Sequence, residues 1–167
     1  MAANEYCQLI EHVDRVGGDW LEKLSCILSN IHTAVLVMGR PSGPSGTSLQ
    51  HSNVDYEQRF ELYSQLRRLL GERDKYWLEF DTDVDAEDGM ADMSGSLADD
   101  ITDIYFELKS GLELLETDPG HPARAATRWQ AGFMLHWGQH LVDAERHLYE
   151  LNVYRELSPH NNIKYAV

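Results

Sequence analysis

Apolar residues recur along most of the chain at intervals of three and four, the spacing that lines one face of an α-helix. Tyr6, Leu9, Ile10 and Val13 mark a short first helix, which Gly17-Gly18 ends. Asp19-Trp20-Leu21-Glu22 has the form of a capping box with aspartate as the cap. From there Leu24, Ile27, Leu28, Ile31, Ala34, Val35 and Met38 continue one apolar face through a long second helix. Tyr56, Phe60, Tyr63, Leu66 and Leu70 predict a third helix ending near Gly71, and 76-YWLEF-80 reads as a short apolar turn or helix whose Trp77 and Phe80 belong to the core. Ser96 and Asp99 form another capping box, which opens a fourth helix through Ile101, Ile104, Leu108, Leu112 and Leu115 to about Glu116. The proline in 118-DPGHP-122 stops it, and Pro122 suits the first turn of a fifth helix with Trp129, Phe133, Trp137, Leu141, Ala144, Leu148 and Leu151 on its apolar face. No period-2 strand emerges. The expected fold is all-α, a single-domain bundle of four to five mostly antiparallel helices over residues 1–167, with Trp20, Leu28, Phe60, Ile104, Leu108, Trp129, Phe133 and Trp137 buried.

Composition sharpens this picture at the connections. The segment 39-GRPSGPSGTS-48 is too rich in Gly, Pro and Ser to bury surface, so residues 40–52 are expected to form a flexible loop, and residues 82–95 an acidic one. Net charge is −14, and the ten acids from Glu79 to Asp103 are accompanied by no Lys or Arg. Such a surface repels phosphate backbones and anionic headgroups, which excludes nucleic acid and membrane as partners and leaves a protein partner or a second copy of the chain. No basic segment followed by an apolar run opens the chain, and 26-CILSNIHTAVLVM-38 is too short and too polar to span a bilayer, so a cytoplasmic protein is expected. Cys7 and Cys26 lack metal or redox spacing and read as reduced thiols packed in the core.

The chemistry concentrates in 136-HWGQHLVDAERH-147, where His136, His140, Asp143 and His147 share one helical face at the border of the apolar stripe. Asp100, Asp103 and Glu107 occupy the corresponding flank of the fourth helix, and the short 118–122 connection makes the two helices antiparallel neighbours. Imidazoles should therefore face carboxylates. Histidines at i and i+4, completed by carboxylates from a neighbouring helix, can hold zinc, iron or manganese. The plainer reading is a structural seam in which each histidine donates a hydrogen bond to a carboxylate, and it is favoured because the Glu of HExxH is absent. Asp99-Asp100-Ile-Thr-Asp103 matches the DDxxD string of isoprenoid synthases, without the basic residues their diphosphate needs. The run 81-DTDVDAEDGMAD-92 resembles a calcium loop, with Ala86 in place of the required Gly and Asp92 in place of the bidentate Glu. No GxSxG, P-loop or GxGxxG occurs. Gly138, inside a helix, implies close approach of another backbone or room for a bulky ring.

Together, 96-SLADDITDIYFELKSGL-112 and 129-WQAGFMLHWGQHLVDAERHL-148 resemble the paired helical motifs of a bacterial family, domain of unknown function 5063. The resemblance is strongest over residues 96–148 and singles out Asp99, Asp100, Asp103, Tyr105, Trp129, His136, Trp137, Gly138, His140 and Asp143. It implies a small bacterial cytoplasmic α-helical protein without an assigned activity. Two functions follow. The favoured one is a noncatalytic helical binding or regulatory module. The second is a metal-dependent bundle enzyme, hydrolytic in type, with His136, His140 and Asp143 as ligands, Asp100 or Asp103 as ligand or general base, and His147 on the same candidate face. No cofactor other than a divalent metal is suggested.

Overall fold

In the computed structural model, which describes residues 1–15, 20–39, 56–78 and 95–157, the chain is an all-α bundle. Five helical segments build it among the described residues: α1 (Ala2–Glu11), α2 (Trp20–Met38), α3 (Tyr56–Leu70), α4 (Leu97–Thr117), and a last helix formed by α5 (Pro122–Gly132) and α6 (Gly138–Leu157) joined through a π-helical turn at Phe133–Trp137. The expected caps at Gly17-Gly18 and Asp19 and the loops 40–52 and 82–94 lie outside the described residues.

The central element is α4. It packs against α1, α3, α5 and α6, and Leu97, Ala98, Ile101, Ile104 and Leu108 are buried along it. From α1, Tyr6 donates to the Ile101 carbonyl at 2.9 Å within the buried contact, and Glu11 ties the same two helices at the surface by accepting from Tyr105 and Lys109. Burial of Trp20, Leu28, Ile104, Leu108, Trp129 and Trp137 follows the helical periodicity, whereas Phe133 is only partly buried. Phe60 departs from it at 68% exposed. The reason lies in how α3 docks: Arg59, not Phe60, turns to α4, where its guanidinium lies 5.3 Å from the Phe106 ring centre and pairs with Asp103. Trp77 is likewise outside the core, at 42% exposed, and Phe80 lies outside the described residues. Cys7 is buried but Cys26 is exposed, both as free thiols, because Cys26 falls on the face of α2 away from Leu24 and Leu28. By length and composition α2 alone among the described helices is apolar enough to cross a membrane, although one of its faces forms part of the core.

A two-residue antiparallel pairing corrects the strand-free expectation. Strand β1 (Lys75–Tyr76) pairs with β2 (Gly95–Ser96), with Lys75 opposite Ser96 and Tyr76 opposite Gly95. Gly95 is required because a Cβ there would sit 2.2 Å from the Tyr76 ring. The pairing delivers buried Asp74 to the start of α4, where its Oδ1 accepts from the Ala98 amide (2.8 Å) and the Ser96 hydroxyl (3.0 Å). The Ser96 hydroxyl in turn accepts from the Asp99 amide, as the capping box predicts. Two otherwise orphaned donors of the first turn are thereby satisfied.

The π turn is the other departure from regular helix. The Gly138 amide donates to the Phe133 carbonyl five residues earlier, and a Cβ on Gly138 would meet that carbonyl oxygen at 2.2 Å and the Phe133 ring at 3.1 Å. Both a backbone and a ring thus exclude any larger residue. An ordinary helical Gly→Ala exchange stabilises by about 1 kcal/mol. Gly138→Ala is expected to do the reverse, lowering stability by about 1–3 kcal/mol in denaturant unfolding, because the π turn must open to admit the methyl group. A second check uses the thiols: a disulfide-exchange reagent should modify Cys26 rapidly in the folded protein and Cys7, whose pKa burial pushes up to about 12, only after denaturation.

Candidate metal centre

Two consecutive levels of structure bring the polar residues together. Along α4, Asp100, Asp103 and Glu107 project toward the last helix, and along the last helix His136 leaves the π turn while His140 leaves the first turn of α6. Asp100 and Asp103 are buried, at 4% and 6% exposed. Buried carboxylates demand partners, and each has found them. Asp100 accepts from the Tyr76 hydroxyl at 2.5 Å through Oδ2 and from His140 Nδ1 at 2.9 Å through Oδ1. Asp103 accepts from Arg59 through Oδ1, while its Oδ2 lies 3.0 Å from His140 Nε2 and 3.4 Å from His136 Nε2.

The arrangement repeats itself. Each imidazole turns Nε2 toward the same oxygen, Asp103 Oδ2, and Nδ1 toward a flanking carboxylate: Asp100 for His140, and Glu107 for His136 at 3.6 Å. The two rings lie 5.1 Å apart and nearly edge to face. One ligand atom from each of Asp103, His136 and His140 falls within 4.8 Å of the others. Donors bound about 2.0–2.2 Å from one ion sit roughly 3 Å from each other, which is close to the separation of Asp103 Oδ2 from the two Nε2 atoms. Carboxylates behind the imidazoles match the outer partners that orient metal-binding histidines.

Electrostatics separates the two histidines. The hydrogen bond to Asp100 holds the His140 pKa above the usual imidazole value, against the opposing effect of burial. Burial, then the neighbouring His140 ring, holds that of His136 below it, so His136 offers a neutral nitrogen at pH 7. Burial also pushes the Asp100 carboxyl up, offset by its bonds to His140 and Tyr76. The Tyr76 hydroxyl is displaced upward by burial and by Asp100, and so stays a donor.

Of the residues singled out in the sequence, the fold brings His136, His140, Asp100 and Asp103 into one cluster, with Glu107 beside them. It does not bring in Asp143 or His147. Asp143 accepts from Gln139 Nε2 at 2.9 Å on its own helix. His147 donates from Nε2 to the Arg73 carbonyl at 2.8 Å and stacks on Tyr76 with ring centres 4.6 Å apart, so it buttresses β1. Arg59 and Tyr76 complete the cluster without any signal in the sequence. Both come from α3 and β1, elements whose packing onto α4 no periodicity reveals.

A family model described as "Domain of unknown function (DUF5063)" matches residues 1–154. No curated protein matches the chain. Among solved structures, the crystal structure of protein BF1032 from Bacteroides fragilis is similar with a TM-score of 0.70 at 20% identity, over 99% of this chain and 92% of that one, a likeness of fold.

With metal stripped by a chelator, replacing His140 by Ala leaves buried Asp100 with Tyr76 alone. It is expected to cost about 1–3 kcal/mol in thermal or urea unfolding, whereas Asp143→Ala should stay within about 0.5 kcal/mol of the parent. Equal losses at the two positions would contradict the division of the helix face described above.

Proposed function

The chain belongs to the DUF5063 family, and because that family is described only as a domain of unknown function, we propose its role from the cluster itself: the bundle binds one divalent transition-metal ion through Asp103, His136 and His140. The observation that carries this reading is the convergence of both Nε2 atoms on Asp103 Oδ2, with a carboxylate behind each ring. Two imidazoles and one carboxylate suit zinc, ferrous iron or manganese, and three protein donors leave positions for water or an exogenous ligand. The hydrolytic reading of the sequence needs such an open position, with Asp143 no longer among the ligands.

A purely structural seam is favoured by a different observation, that Asp100 and Asp103 already have Tyr76 and Arg59 as partners. It accounts for the carboxylates but leaves His136 without a purpose. That side chain is 46% exposed, and its nitrogens stand 3.4 and 3.6 Å from the carboxylates, too far for full-strength hydrogen bonds. An ion would close this gap. Free thiols at Cys7 and Cys26 suit a reducing compartment such as the bacterial cytoplasm.

Protein purified without chelator or a nickel tag should bind zinc or manganese close to one ion per chain in equilibrium dialysis, with a saturable rise in melting temperature. His136→Ala and Asp103→Asn should abolish the response, and Asp100→Asn should weaken affinity roughly 10–100-fold. Asp143→Ala should leave it intact. Undiminished binding by the His136→Ala protein would overturn the proposal.

A further inference from the structure

Arg59 stands beside the candidate metal centre, on Asp103. Its Nη1 contacts Asp103 Oδ1, the oxygen that both histidines leave free, and its guanidinium is held in place against the Phe106 ring at 5.3 Å. Among the described residues Asp103 is its hydrogen-bond partner, and its side chain remains 28% exposed. A guanidinium carries five donors in a planar fork. The remaining N–H groups of that fork make no other hydrogen bond among the described residues, and part of the side chain reaches solvent.

Resting on the metal reading above, we propose that the loaded site takes a small oxyanion of the phosphate class, with one oxygen on the ion and another on the Arg59 fork. Asp103 itself supplies the geometric precedent. Its carboxylate already spans the two positions, Oδ1 toward Arg59 and Oδ2 toward the histidine nitrogens that would surround the ion. A second oxyanion of similar bite, lying alongside, meets the same two cations. The carboxylates paired with the two rings stand behind them. Asp100 and Glu107 face the Nδ1 atoms, so each is separated from the ion by the width of an imidazole ring. Arg59 also answers the charge problem of an acidic chain, since it places a fixed cation beside a cluster that net charge would otherwise close to anions.

Cobalt(II) makes the test direct, because its visible spectrum reports each change of ligand at the metal. Inorganic phosphate added to the cobalt-loaded wild type should produce a saturable spectral change. In variants that still bind cobalt, with affinity compared at saturating metal, Arg59→Lys, which keeps a cation on Asp103 but not the fork, should weaken phosphate binding several-fold, and Arg59→Gln roughly tenfold or more. An unchanged spectrum on phosphate addition would overturn this inference while leaving the metal site standing, as would an Arg59→Gln protein that binds phosphate like the wild type. Absence of cobalt bands in the folded wild type would overturn both.

Discussion

Two buried carboxylates on one helix set the terms for the rest of this protein. Asp100 and Asp103 sit on α4, the helix against which α1, α3, α5 and α6 pack, at depths where an ionised group without partners would strongly destabilise the bundle. Their partners come from three directions: Tyr76 from β1, Arg59 from α3, and His140 from α6. Each partner fixes the element that carries it. Docking of α3 through Arg59, the short β1–β2 pairing and the register of α6 against α4 are thus consequences of the same requirement.

Small backbone departures make the convergence work. The Asp74 cap and the Tyr76–Gly95 pairing hold the start of α4 against β1, so that Tyr76 can reach Asp100 one turn further along. The π turn at Phe133–Trp137 inserts one residue into the last helix, and its closing bond requires Gly138. His136 leaves from that turn and His140 from the regular helix after it, yet both aim at one oxygen of Asp103. Such single-turn π segments concentrate at functional sites.

The helices were legible because burial on one face imposes a period of about 3.6 residues, the cap at Ser96 because orphaned amides need specific side chains, and the start at Pro122 because proline has no amide to leave orphaned. The seam itself was half legible. Spacing placed Asp100, Asp103, His136 and His140 on facing flanks, but it placed Asp143 and His147 there too, since a regular helix offers all four positions alike. What separates them is the length over which the two helices stay in contact and the arrival of β1, whose Tyr76 claims His147 as a stacking partner. Those are tertiary facts. The same holds for Phe60, whose periodic position suggested the core while Arg59 took the contact with α4.

A metal held by two imidazoles and one carboxylate has a signature independent of stability or activity. X-ray absorption at the zinc edge of the loaded protein should show about two imidazole nitrogens near 2.0–2.1 Å and a carboxylate oxygen near 2.0–2.2 Å, with the remaining positions filled by water. A first shell made of oxygen alone, without imidazole scattering, or one containing sulfur from Cys7 or Cys26, would contradict the assignment of Asp103, His136 and His140 as the ligands.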